Sequence, residues 1–172
     1  EFACSVTYGY HLDAAKFAEF LCKHRVETLG VKHVKANVIA VNSAENGDIA
    51  SITTDSDGDI EGDLFIDCSG SRALLLGEHY KVPLVSKKQY LFNDTALATQ
   101  VPYVNPDDPI ASCTLSTAQT AGWIWDIGLP SRRGTGHVYS SAHNSEEKAT
   151  AELLSYVERT AGAQAAANAE PR

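Results

Sequence analysis

The stretch Gly122-Trp123-Ile124-Trp125-Asp126-Ile127-Gly128-Leu129-Pro130 alternates bulky apolar residues with a period of two. That period belongs to a β-strand, whose successive side chains leave opposite faces of a sheet. Trp123, Trp125 and Ile127 are therefore expected on one face, with Ile124 and Asp126 on the other. The chain has two tryptophans, and both stand here. Two stiff indoles two residues apart make a one-sided aromatic wall. Composition alone favours reading that wall as ordinary core.

Downstream, residues 136–141 read as a further strand. A helix follows from about Glu146 to Thr160, capped by Asn144 with Glu147 three residues later. Ala149, Leu153, Leu154 and Val157 form its buried stripe. Residues 162–172 are Ala-rich with no apolar face to dock, and read as a loose extension or tail; residues 1–161 are taken as one piece.

Upstream lie strand candidates at 91–101 and 112–117, joined by Pro- and Gly-containing connections. Leu64-Phe65-Ile66 is a continuous apolar run, expected as a strand buried on both faces and ending at Asp67-Cys68-Ser69-Gly70. A helical turn is expected at about 73–76. Residues 31–41 and 49–54 read as strands, with Asp57-Gly58 signalling a hairpin turn. A first helix is capped by Asp13, carries Ala14, Phe17, Ala18, Leu21, Cys22, Val26 and Leu29 at helical spacing, and stops at Gly30. The order helix, several strands, helix indicates an α+β fold.

Several function classes are excluded. The formal charge of −8 argues against nucleic acid, whose phosphates require clustered Lys and Arg. No apolar run approaches the roughly 20 residues of a membrane helix, and Glu1-Phe2-Ala3-Cys4 does not open a signal peptide. Cys4, Cys22, Cys68 and Cys113 lie far apart, which suits reduced thiols in a cytoplasmic protein. Asp55, Asp57 and Asp59 fail the calcium-loop pattern, since Ile66 stands at its twelfth position. His11, His24, His33, His79, His137 and His143 fit no metal spacing. His11 beside Tyr10 and Asp13 is explained by helix capping. Gly134-Thr135-Gly136 reads as a turn, since it opens no helix, and no nucleophile motif is present.

At these residues the sequence resembles the flavin-dependent halogenases, the tryptophan-halogenase family, whose distinguishing motif is the W-x-W-x-I run at Trp123 to Ile127. Tyr10-His11-Leu12-Asp13, Gly30-Val31, the run from Asp63 to Gly70, Arg72, and Gly136-His137-Val138-Tyr139-Ser140-Ser141 follow the family's order around it. The resemblance implies a flavin-monooxygenase-like fold, with FAD on a Rossmann-type unit beside an antiparallel substrate sheet. It implies that reduced FAD (FADH2, supplied by a flavin reductase), O2 and halide yield hypohalous acid. That oxidant then chlorinates or brominates an electron-rich aromatic such as tryptophan or indole, in antibiotic biosynthesis for example. Trp123, Trp125 and Ile127 would partition substrate from flavin, Val38 and Gly70 would lie at the cofactor, and Asp126 would face away. The N-terminal G-x-G-x-x-G and the segments carrying the catalytic lysine, halide site and substrate carboxylate have no counterpart among the 172 residues. No catalytic or metal residue is therefore assigned, and the chain reads as a central portion, inactive alone. Gly128 stands where the family usually has proline. A flavin-dependent aromatic hydroxylase and a non-catalytic binding domain are the alternatives. Oligomeric state stays open, with a homodimer among the readings.

Overall fold

The computed structural model describes residues 8–105 and 107–172, so Cys4 lies outside it. The described residues belong to two compact units, Ala18–Ser86 on one hand and residues up to Phe17 with Lys87–Arg172 on the other.

Helix α1 (Ala14–Leu29) starts where expected, with Asp13 Oδ1 accepting the Ala15 and Lys16 amides at 3.2 and 3.4 Å. Gly30, at φ +65°, supplies the left-handed stop. The apolar stripe has helical spacing, but α1 has no buried residue, so the spacing forms the helix without burying it.

The unit Ala18–Ser86 contains a three-stranded antiparallel sheet of β1 (Val38–Ser43), β2 (Ile49–Thr54) and β3 (Gly58–Glu61) in that order. Gly58, at φ +69°, makes the expected hairpin turn between β2 and β3. Two expected strands differ. Residues 31–37 and Leu64-Phe65-Ile66 join no ladder, and Leu64 and Ile66 are exposed rather than buried. A strand exists through hydrogen bonds to a neighbour, and no described strand pairs with these segments. After Gly70 come a short 3₁₀ turn, Gly70–Arg72, and a wide π-helical turn, Leu74–His79.

The other unit is built on a four-stranded antiparallel sheet. Its strands are β4 (Thr95–Pro102), β5 (Leu115–Gln119), β6 (Gly122–Gly128) and β7 (Arg132–Tyr139), in the order β4-β7-β6-β5. Helix α2 (Glu146–Ala161) covers one face. Leu97, Ile124 and Tyr139 from the sheet form one buried cluster with Ala149, Leu153 and Tyr156 of the helix. Burying side chains such as Ile124 and Leu153 completely stabilises the unit by roughly 1.5–3 kcal/mol each. Buried His137 sits 3.2 Å from the Ala149 carbonyl through Nδ1. A carbonyl only accepts, so Nδ1 carries the proton and ties β7 to α2.

Ser145, not Asn144, is the N-cap of α2, its hydroxyl accepting the Lys148 amide at 3.3 Å. Asn144 is buried instead, and its amide donates to Glu152 at 3.0 Å. The 162–172 segment forms a short helix, α3 (Ala163–Ala167), and then runs to the β4 edge. There Arg172 and Ala98 exchange backbone hydrogen bonds of 3.0 and 2.9 Å.

Candidate functional site

Strand β6 divides its side chains as alternation requires. Ile124, Asp126 and Gly128 are buried on the α2 side, while Trp123, Trp125 and Ile127 share the other face. The two indoles meet edge to face, with centroids 6.3 Å apart and planes at 63°. Trp123 is 36% exposed and Trp125 and Ile127 are half-buried, so α2 does not cover the aromatic face. Across the ladder Trp125 is opposite Gly136, and Gly136 is opposite Ala98. Small residues on β7 and β4 thus leave room for a large one on β6. Trp125, Ala98, Gln100 and Arg132 line an open depression of about 580 Å³ on this face. The cation of Arg132 is held by Asp13 at 2.8 Å, so the segment just before α1 also builds this side of the unit.

Beneath the wall, the buried face carries a polar network that sequence reading did not find. Both carboxylate oxygens of Asp126 accept from the Arg133 guanidinium, and the Tyr156 hydroxyl donates to it at 3.0 Å. Arg133 continues to the Thr160 carbonyl and hydroxyl at 3.2 and 2.9 Å, joining sheet to helix. Its guanidinium pKa is raised, chiefly by the hydrogen bonds to Asp126. Burial, and then the Asp126 charge, raise that of the Tyr156 hydroxyl. The available signal was an acid at a predicted buried position, which requires a partner. The partners lie 7 and 30 residues away, beyond any local pattern.

Gly128 is buried against the 103–111 connection. A Cβ there would lie 2.8 Å from the Ile110 Cγ2 and 3.2 Å from the Tyr103 hydroxyl. The glycine lets that connection close on the sheet, rather than merely loosening the strand.

The unit Ala18–Ser86 holds the two residues expected near a cofactor. Val38 opens β1 and, with Arg72, Leu74 and His79, lines a groove of about 200 Å³. Gly70, at φ +67°, starts the turn that delivers Arg72 to that groove. The turn is held by Asp67. Its Oδ1 accepts the Ser69 amide and hydroxyl at 3.1 and 2.6 Å, and its Oδ2 accepts the Leu75 and Leu76 amides at 2.9 and 3.2 Å. The Ser69 hydroxyl, with the Leu76, Ser69 and Leu75 amides, lowers the Asp67 carboxyl to about 2. This ring of bonds supports Ala73 at φ +46°, an uncommon conformation for a residue with a side chain. The Asp-x-Ser spacing is the signal for such a turn.

Other candidates do not assemble. Among the described residues, the His11 ring lies 3.3 Å from the Thr114 hydroxyl, and Cys22 lies 3.3 Å from His33. Cys22, Cys68 and Cys113 are free thiols. Among the described residues, no group of three or more His, Cys, Asp or Glu could hold a metal ion.

An open tryptophan face at Trp123 to Ile127, above a buried Asp126, is one geometric form of the W-x-W-x-I signature. The family model for tryptophan halogenase matches residues 1–169. The chain belongs to the tryptophan halogenase family.

Among this family's members, tryptophan 6-halogenase SttH of Streptomyces toxytricini is 44% identical over 150 residues, which are 87% of this chain and 28% of that protein. Tryptophan 7-halogenase RebH of Lentzea aerocolonigenes is 39% identical over 146 residues, 85% of this chain and 28% of RebH. The crystal structure of a tryptophan halogenase from Shewanella frigidimarina superposes with a TM-score of 0.88 at 52% identity, over 96% of this chain and 31% of that one. The chain thus spans less than a third of the length of these relatives. Tryptophan halogenase structures are accordingly its fold neighbours, and its mixture of helices and antiparallel sheets is an α+β part of their fold.

Proposed function

We propose that the protein is a flavin-dependent halogenase acting on an electron-rich aromatic ring such as that of tryptophan or indole. The observation that carries this reading is the open face of Trp123, Trp125 and Ile127. A sheet that only needed a core would bury its two indoles under α2. It buries Ile124 and Asp126 there instead, and turns both indoles to the opposite face. Such a rigid wall suits the separation of an aromatic substrate from a flavin, which keeps hydroxylation from competing.

The groove at Val38 has room for part of a flavin cofactor, not the whole of one, and Val38 with the turn begun by Gly70 would hold that part. When bound, reduced FAD with O2 supplies the power to oxidise halide. This chain's own residues position and exclude: Asp67 fixes the turn, the tryptophans shield, and Arg133 with Asp126 keeps the strand beneath them in register. A separate flavin reductase as the source of reduced flavin, and a cytoplasmic location, complete the reading. Among the described residues, no helix is long and apolar enough to cross a membrane.

The test uses the full-length protein with FAD, a flavin reductase, O2, chloride or bromide, and tryptophan or indole. Halogenated product is expected. Trp123→Ala should lower its rate by at least about tenfold, roughly 1.4 kcal/mol of barrier, with little change in melting temperature. Hydroxylated product alone would replace this reading with the hydroxylase. Matched losses of activity and melting temperature would make the wall ordinary core.

A further inference from the structure

We infer that Gly136 is a positioning residue for the tryptophan wall: its missing Cβ is the seat into which the Trp125 indole drops. The inference rests on the functional reading of that wall and adds to it the group that sets the wall's position. Gly136 lies on β7 directly across the ladder from Trp125, on the same face. A Cβ built on Gly136 would overlap Cζ2 and Cη2 of the Trp125 ring, and would stand 2.5 Å from the Leu97 carbonyl oxygen. The indole therefore crosses its own strand and lies against the backbone of the next one. Gly136 is buried on an otherwise open face because that ring covers it.

Gly134 provides the contrast. It is on the same strand and the same face, opposite Ile127, yet a Cβ there would meet nothing within 4 Å. Of the two glycines in Gly134-Thr135-Gly136, one is a seat and the other is not. Glycine inside a strand weakens it unless another group approaches the backbone closely, and of these two glycines Gly136 has that approach. Trp123 leans on the edge of Trp125 at 6.3 Å, so lifting one ring disturbs the pair. Gly136 thereby sets the depth and tilt of both indoles, and through them the separation of the aromatic substrate from the oxidant's source.

The indole pair gives a direct readout, because coupled rings at this distance and angle produce an excitonic circular dichroism signal. The difference between variant and parent spectra of the full-length protein isolates the signal of this pair. Gly136→Ala should change that signal, and Gly134→Ala should leave it unchanged. An unaltered signal in Gly136→Ala overturns the seat, whatever happens to activity. Should Gly136→Ala lose its fold, the comparison moves to the Trp125→Phe background, whose ring lacks the overlapped atoms. A smaller stability loss there supports the seat, because coupled neighbours are non-additive. Equal losses in both backgrounds overturn it, since they assign the clash to Leu97 alone. In the full-length protein, Gly136→Ala should lower halogenation several-fold. A shifted signal with full halogenation would keep the seat as geometry but overturn its role in the reaction, and the wall reading with it.

Discussion

Asp126 sits between two residues of the aromatic wall and points the other way, with its side chain only 4% exposed. A buried carboxylate persists only when paired and hydrogen-bonded, and Arg133 with Tyr156 provides both. Asp126→Ala would leave the Arg133 guanidinium and the Tyr156 hydroxyl without their main partner. The expected loss is about 3–5 kcal/mol, a large part of a domain's net stability. Tyr156→Phe should cost less, on the order of 1.5–3 kcal/mol, for one hydrogen bond to a charged group. Chemical unfolding of the two variants tests the order, and an Asp126→Ala protein as stable as its parent would sink the account. The same scale explains Gly128. A Cβ there would press on the Ile110 side chain and the Tyr103 hydroxyl, so any larger residue requires those side chains to shift.

Elements depend on more than their own residues. Strand β6 forms where the pattern puts it, but β7 starts at Arg132 instead of 136 and runs straight through Gly134-Thr135-Gly136 instead of turning there, because β4 and β6 pair with it on both sides. Leu64-Phe65-Ile66 has an equally strong strand pattern and forms none, for want of a neighbouring ladder. The turn after it owes its shape to one carboxylate. Replacing Asp67 by alanine should accelerate hydrogen exchange at the Leu75 and Leu76 amides by about tenfold or more, since their acceptor is gone and local opening becomes easier. Amide exchange followed by NMR would show this, and unchanged protection would mean that the backbone holds the turn alone. Likewise, Ser145 caps α2 while Asn144 turns its Nδ2 to Glu152 one turn and more along the same helix, a difference in side-chain placement that residue type alone does not fix.

At the scale of the whole molecule, carboxylates in both units are held below their ordinary range. The Ser69 hydroxyl leads for Asp67, Lys88 for Asp94, the Asn37 side chain for Asp55 and the Asn105 amide for Asp108. Each folded-state value lies below the unfolded one. Their contribution to stability is therefore present above about pH 4 and lost as the pH falls through the folded values, near 2 for Asp67. Melting temperature should be flat from pH 7 to about 5 and decline progressively below 4. A melting temperature unchanged between pH 4 and 2 would show that these carboxylates lack their partners. The group contacts are exposed to solvent, so added salt should reduce those with Lys88 more than the uncharged ones.

Alternation alone placed Trp123, Trp125 and Ile127 on one face and Asp126 on the other, because the side-chain period of a strand is fixed by backbone geometry. Local chemistry likewise determined the start of α1 at Asp13, its stop at Gly30 and the hairpin at Gly58, each decided within a few residues. Which face of the sheet packs under α2 was a tertiary matter, settled by the cluster that Leu97, Ile124 and Tyr139 form with the helix. So were the partners of Asp126, the unpaired state of residues 64–66, and the close approach that requires glycine at 136. A pattern states which side chains travel together. Only contacts between segments distant in sequence decide what they meet.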